Sequence, residues 1–581
     1  MSLGESFGAR PMRRVLSVFA LLLASISVAK ASPWEPLSDA DETRYRKIFT
    51  AQEKGDWQSA DALIAKLENK VLLGYVLEQR YMHPTAYRSS YPELRRWLAA
   101  YADHPNAAPV YRLARKRQSG AAPRRPSGRP WRSPPPLPLH PQLEEDYATS
   151  NFPSDVRRIE SRLRYLTREG RATQALNYLM APQQFNKLTA AQTDRARGWV
   201  AAAYYYEGEL SKAQEIAEAA TKRSSEVAVL SHWIEGLIAW RRDDYETAYT
   251  HFSKQADVPY QEDTMRAGAA FWAARAALAT GRTADVTEYL GLASSYPFTM
   301  YGQLALGQLG LDPDIEWRIY PPTDEDLERI SEKTPRLTRA LALAQVGQKT
   351  AAEHELQWAQ GELSAEEDAS LLAFARAADL PSAELLIALQ GQGDREDFAH
   401  LRSGLFPVPD YEPTGGFTID RAILFGLIRQ ESKFMTEATS SVGARGLMQL
   451  MPRTASYVSN NTGLATGHSS SKLYEPEYNM QLGQSYVEQL LTRYNNGEGD
   501  LFEMALSYNW GPGSYNRWQS RTGIEDPLLM IESVPNQQAR HFVETVITNM
   551  WVYRDRFGEP APSRDALSAG ERPIYQAVST R

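Results

Sequence analysis

Apolar and polar positions fall into distinct rhythms along the chain. From about Ser32 to about Asp410 the sequence is rich in Ala, Leu, Glu, Gln and Arg and poor in alternating β-branched runs, which predicts helix almost throughout. Within this stretch a turn residue or two repeatedly precedes a helix of small side chains. Examples are Gly55-Asp56-Trp57, Gly170-Arg171-Ala172, Gly208-Glu209-Leu210, Asp243-Asp244-Tyr245 and Gly281-Arg282-Thr283. The steps from Gly170 to Gly208, on to Asp244 and on to Gly281 are 38, 36 and 37 positions. That period suits helix-turn-helix units stacked into a solenoid, whose small residues let paired helices approach closely. Such an array can serve as a scaffold, or its concave face can receive a long substrate or a partner protein.

Two interruptions punctuate the helices. The segment Ser119 to Pro141 is proline-rich and carries Arg124, Arg125, Arg129 and Arg132 after Arg115, Lys116 and Arg117. Proline excludes helix interior and pushes the preceding residue to extended geometry, so an extended basic loop is predicted. It is either a solvated connector or a contact for an anionic surface. A second cluster, Phe406-Pro407-Val408-Pro409-Asp410 to Gly415-Gly416, marks a boundary before a new helical region. There, Asp420 to Phe434 places Ile423, Leu424, Leu427, Ile428 and Phe434 at the spacing of a buried helical face, with Glu431 near its end. The expected fold class is all-α. The division anticipated is 1–31 signal peptide, 32–320 U-shaped helical solenoid, 321–410 helical linker and 411–581 C-terminal α domain.

At 581 residues the chain exceeds a single core. Apolar residues make up 43% and charged residues 23%, ordinary for a globular protein, and a net charge of -7 argues against general nucleic-acid binding. Arg10, Arg13 and Arg14 precede an apolar run from Val15 to Val28 and then Ala29-Lys30-Ala31, the plan of a secretory signal peptide cleaved after Ala31. The run is shorter than the roughly 20 residues that span a bilayer. The mature chain is therefore expected in an exported compartment, the periplasm, without an integral membrane segment. With no cysteine, neither a disulfide nor a cysteine-linked lipid is available. The nine histidines show no H-E-x-x-H spacing, and there is neither an EF-hand series nor a phosphate loop, so no metal and no cofactor is expected.

The chemistry-bearing motifs lie after Gly416. Glu431 and Ser432 close one helix. Ser440-Ser441-Val442-Gly443-Ala444-Arg445-Gly446-Leu447-Met448-Gln449-Leu450-Met451-Pro452 has two glycines that let backbone approach a ligand and a polar Gln449 among apolar neighbours. Ala505 to Gly513 runs a helix through Tyr508, Asn509 and Trp510 into a Gly511-Pro512 turn, offering aromatic faces and amides of the kind that hold sugar rings.

Together, Gln430-Glu431-Ser432, Gly443 to Pro452, Tyr508 to Gly513, and Val534-Pro535 through Arg540 to Val543 resemble the soluble lytic transglycosylases, over the whole last third and in the same order. The resemblance implies a ring of helices carrying a domain like goose-type lysozyme. It also implies non-hydrolytic cleavage of the β-1,4 bond between N-acetylmuramic acid and N-acetylglucosamine in peptidoglycan, leaving a 1,6-anhydro end. Glu431 would be the catalytic residue, with Ser440, Gln449, Met451, Tyr508, Asn509, Gln538 and Arg540 as substrate contacts.

Most glycosidases use two carboxylates. Only Glu431 lies within the matched motifs, and one suffices if the sugar's own C6 hydroxyl is the nucleophile. Met448, Met451 and Tyr508 are expected to supply the apolar setting that keeps Glu431 protonated. The chain departs from the family at Trp510, usually alanine, and at Gln538, usually glutamate. Peptidoglycan strands are the implied partner and other cell-wall enzymes are further candidates; a monomer is expected. A hydrolytic muramidase of the same fold and a non-catalytic glycan-binding scaffold are the competing readings.

Overall fold

The computed structural model describes residues 34–128, 141–149, 153–391, 396–467, 469–493 and 498–577. The signal-peptide segment and part of the basic loop, including Arg129 and Arg132, lie outside the described residues. Among those described, every regular element is a helix, and β pairing is limited to isolated bridges.

The predicted helix-turn-helix repeat has a common local device. At Gly55, Gly170, Gly208, Asp243 and Gly281 the chain adopts positive φ, and the next residue's N–H reaches back five residues to a helix carbonyl. Examples are Glu209 to Tyr204 at 2.9 Å and Arg282 to Ala277 at 2.8 Å. This left-handed closure satisfies the orphan carbonyls at a helix end and reverses the chain for the next helix. The left-handed residue of the third unit is Asp243, so the successive steps are 38, 35 and 38. The device recurs at Gly347 and Asp379, so the pattern extends beyond the repeats legible in the sequence.

Small residues do the packing. In the helix Asp263–Ala279, Ala269, Ala270, Ala273 and Ala276 are buried together with Phe271 and Trp272. A Cβ on Gly236 would come within 2.6 Å of the Phe252 ring, so the close helix contact there requires glycine.

The chain closes into a circuit. Its C-terminal region seats on the array through Tyr205 to Ser533 (3.1 Å), Arg275 to Asp526 (2.8 Å) and Tyr301 donating to Glu532 (2.5 Å). The helices around residues 336–362 in turn meet the N-terminal helices. There Gln345 exchanges hydrogen bonds with the Leu37 backbone, and Glu355 accepts from Tyr75, Arg336 and Arg339. Tyr553 donating to the Pro407 carbonyl (2.9 Å) and Arg556 to that of Ser403 (2.7 Å) join this region to the C-terminal one.

From Phe406 to Asp420 there is no helix, and Gly415 and Gly416 both have positive φ. Asp420 then caps the helix Arg421–Glu431, accepting from Ala422 N while its other oxygen meets buried Arg554 at 2.7 Å. This helix crosses the long helix Gln537–Arg556 closely: a Cβ on Gly426 would stand 3.1 Å from the Met550 nitrogen. The crossing fixes where Glu431 emerges.

Candidate active site

Glu431 is the last residue of its helix, which ends three residues earlier than the apolar spacing predicts. Ser432 caps the end, its hydroxyl donating to the Ile428 carbonyl at 3.2 Å. Lys433 and Phe434 then take φ of +52° and +64° in succession, a conformation that costs non-glycine residues about 1–3 kcal/mol each. Phe434 is anchored by complete burial, its ring edge-on to Phe425 at 6.3 Å. The strained turn leaves the Glu431 side chain half-buried. Withdrawal from water raises its pKa from 4.5 to about 8 with no charged neighbour contributing. Glu437, the next acidic residue, is exposed and faces His354.

The loop 438–450 forms the facing wall. Its ends are tied by bridges from Arg445 to Thr439 and Leu450. Gln449, at φ +45°, donates through Nε2 to the carbonyls of Ala438 (3.1 Å) and Gly446 (2.8 Å), so its amide nitrogen cross-braces the loop. The Ser440 hydroxyl accepts from Ala444 N at 2.9 Å, which leaves its own proton to give. Met451 is exposed at the rim; Met448 is fully buried.

Two residues outside the sequence motifs hold this wall. Asn479, itself fully buried, accepts from Met448 N at 2.8 Å and donates to the carbonyls of Arg445 (3.0 Å) and Leu473 (2.7 Å). Gly483, one turn along the helix Pro476–Arg493, leaves room for Met448: a Cβ would lie 2.0 Å from its sulfur. The same crowding makes Gly446 obligatory, since a Cβ there would stand 2.0 Å from the Leu473 carbonyl oxygen. Neither Asn479 nor Gly483 is marked by periodicity. A buried-face asparagine four residues before a glycine is the only sequence signal.

Tyr508, on the helix Leu501–Trp510, donates to the Met448 carbonyl at 2.7 Å. Its phenol is pushed well above 10 by burial first and then by the negative charge of nearby Glu431. The ring stacks on Phe542 at 6.0 Å and tilts against Tyr486 at 5.4 Å. Beyond Tyr486 opens a groove of about 750 Å³ bordered by Arg453, Tyr457, Gln489, Arg493 and Pro512. Asn509 and Trp510 are partly exposed at the helix end, where Gly511 turns the chain at φ +85°.

The structure thus brings Glu431, Met448 and Tyr508 together, with Gln449 bracing their wall. It does not bring Arg540 to them. That guanidinium lies over the Tyr206 ring at 4.0 Å and donates to the Val534 carbonyl. It borders a separate cavity of about 450 Å³ between the array and the C-terminal helices, lined also by Trp199, Arg429, Glu532 and Glu544. Gln538 is exposed in the first turn of the helix Gln537–Arg556. Among the described residues no cluster of His, Asp or Glu could hold a metal ion, and no helix is long and apolar enough to cross a membrane.

An all-α fold with a lone buried glutamate facing a tyrosine across a Gly-Leu-Met-Gln loop defines a class that comparison with known proteins makes specific. Residues 412–531 match the family model of the transglycosylase SLT domain.

The chain is 31% identical over 160 residues to the soluble lytic murein transglycosylase of Escherichia coli K12, covering 27% of this chain and 24% of that protein. It is 32% identical over 147 residues to the Salmonella typhimurium enzyme of the same name, covering 25% and 22%. The alignable sequence thus spans about a quarter of these relatives. The fold likeness reaches further. The 70-kDa soluble lytic transglycosylase of E. coli superposes over 92% of this chain and 100% of its own at a TM-score of 0.56 and 18% identity. An inactive Glu-to-Gln mutant of the Pseudomonas aeruginosa lytic transglycosylase Slt superposes over 90% and 88%, with a TM-score of 0.51 and 18% identity.

Proposed function

We propose that the protein is a peptidoglycan lytic transglycosylase that cuts the bond between N-acetylmuramic acid and N-acetylglucosamine without water. The observation that carries this reading is the isolation of Glu431: its carboxyl is raised to about 8 by burial alone, with no second carboxylate acting on it. It is therefore protonated near neutral pH and can give its proton to the glycosidic oxygen as the C1–O bond breaks. The substrate's acetamido oxygen supports the positive C1. The Glu431 carboxylate then takes the proton of the C6 hydroxyl as O6 bonds to C1, closing the 1,6-anhydro ring and restoring the acid. No water enters, and the atoms of the substrate are conserved between the two products.

In this scheme Tyr508, its proton committed to Met448, presents only an acceptor oxygen toward the acid. Ser440, Met451 and Asn509 border the sugar path, and Gln449 holds the loop beside it. Arg540 and Gln538 act at the junction with the array. The division at 320 and 410 and export to the periplasm after cleavage at Ala31 complete the proposal.

Mass spectrometry of soluble products from purified sacculi tests it. Anhydro-ended fragments from the wild-type chain and none from Glu431→Gln support the reading. Reducing-end products would make the protein a hydrolytic muramidase, and no product from either would make it a glycan-binding scaffold.

A further inference from the structure

Several surface arginines are neutralised in pairs, as Arg80 with Asp61, Arg223 with Asp194, Arg282 with Glu246 and Arg376 with Glu384. The segment 88–125 carries a concentrated surplus instead. It holds nine basic residues against two acidic ones, a surplus of seven positive charges in a chain whose net charge is -7. Both acids are committed internally. Glu93 closes a capping box with Ser90 and accepts from Tyr87 at 2.5 Å, and Asp103 pairs with Arg339 at 2.8 Å.

The charges share one small, well-packed unit. The helices Tyr91–Tyr101 and Ala107–Lys116 bury Leu94, Trp97, Leu98, Val110 and Ala114 between them. Arg117 ties the end of the second helix to the Ser89 carbonyl (2.5 Å). The following loop is bound back along the first helix by Arg124 to the Ala99 carbonyl (3.0 Å) and Ser127 N to that of Ala102 (2.8 Å). Arg95, Arg96, Arg112, Arg115, Lys116 and Arg125 are left exposed, and none is ion-paired among the described residues. Carrying so many like charges on one two-helix unit and its following loop costs self-repulsion that an anionic partner relieves.

We propose that this face binds the carboxylates of the peptide stems on murein, holding the protein on its polymer at a surface separate from the Glu431 cleft. The proposal rests on the murein substrate proposed above. Guanidinium forks match planar carboxylates in two-point hydrogen bonds. Between residues 88 and 125 no large hydrophobic side chain is exposed, so the face lacks the apolar anchors of a membrane-seated surface and suits a hydrated polyanion.

The test is co-sedimentation of the full chain carrying Glu431→Gln, which leaves the polymer uncut, with purified sacculi. Binding is expected to weaken steeply between about 0.05 and about 0.5 M salt. Adding Arg95→Glu, Arg96→Glu, Arg112→Glu and Arg115→Glu should lower affinity at least about tenfold, the equivalent of about 1.4 kcal/mol. The four glutamine replacements should give a smaller loss in the same direction, and the thermal midpoint should stay unchanged because all four side chains are in solvent. Sacculi whose carboxylates are converted to neutral amides with a carbodiimide and ethanolamine stay insoluble and should bind the parent as weakly as intact sacculi bind the charge-reversed chain.

Unchanged sedimentation after charge reversal overturns the proposal, as does equal binding to the amidated sacculi. Charge-dependent binding to phosphatidylglycerol vesicles in place of sacculi would also overturn it, making the face a membrane contact. In a Glu431 background the four substitutions should leave the rate on short soluble glycan fragments unaltered. Failure of the catalytic reading would instead show in the products released by the parent chain.

Discussion

Glu355 and Glu431 are both carboxyl groups withdrawn from water, and the protein surrounds them in opposite ways. Glu355, in the seam between the N-terminal helices and the helix Lys349–Glu362, accepts from Arg336 at 2.8 Å, from Arg339 at 2.6 and 3.1 Å, and from Tyr75 at 2.5 Å. Every lone pair is matched, and the charge is part of what closes the chain on itself. Glu431 receives no cation, and its proton is held by burial. The carboxyl that serves the fold is compensated; the one proposed to release and recover a proton is left uncompensated.

The largest effect should come from Glu431→Gln, which removes the transferable proton while keeping shape. Product release should fall by about 10² to 10⁴, the usual contribution of a placed general acid, with the circular dichroism spectrum unaltered. A variant retaining a tenth of the rate would remove Glu431 from the mechanism. At the seam, Arg336→Met leaves buried Glu355 short of one donor and takes from Glu362 its ion-pair partner. Breaking a buried pair from one side costs about 3–5 kcal/mol, read as a lower urea midpoint. A loss below about 1 kcal/mol would mean the seam is not held by these charges.

Asn479→Ala acts between the two, through the loop rather than the acid. It strands Met448 N and the Leu473 carbonyl, each buried polar group costing about 1–3 kcal/mol, while the Arg445 carbonyl keeps its bond from Leu450 N. We expect about a tenfold fall in kcat, since Tyr508 is hung from the same Met448, against a smaller change in KM. An unchanged kcat would uncouple Asn479 from the site.

The smallest effect is on stability. Folded Glu431 keeps its proton up to about pH 8, whereas the unfolded carboxyl loses it near 4.5. The folded state therefore binds the extra proton between these values, and the stabilisation present below 4.5 is lost as pH rises through 8. Glutamine does not titrate, so the thermal midpoint of Glu431→Gln should exceed that of the wild type by a margin that grows from pH 4.5 to 8. A constant margin would contradict the raised pKa.

The array was readable in the sequence because its closure is local. Gly55, Gly170, Gly208 and Gly281 announce a left-handed turn that a single residue type tolerates best. The same turn at Asp243 was placed one residue late, and at Asp379 missed, because aspartate occupies that conformation without the compositional mark of glycine. Gly347 carried the mark but lay outside the counted period.

The C-terminal motifs group Glu431, Met448 and Tyr508 in one expected site. They could not show that Gln449 spends its amide nitrogen on the loop, that Arg540 turns to Tyr206, or that Asn479 holds Met448 from 31 positions away. Such contacts depend on where helices cross, which periodicity does not encode. The abrupt end of the acid helix was likewise hidden, since Lys433 and Phe434 are unusual residues for left-handed backbone and are held there by tertiary burial.

The most direct test of the uncompensated acid is the pH dependence of anhydro-product release from sacculi by the wild-type chain. The rate should hold through neutrality and fall as pH rises through about 8, where Glu431 loses its proton. A rate already collapsing near pH 5, where an ordinary glutamate ionises, or one undiminished well above pH 9, would contradict the claim that burial keeps this carboxyl protonated for catalysis.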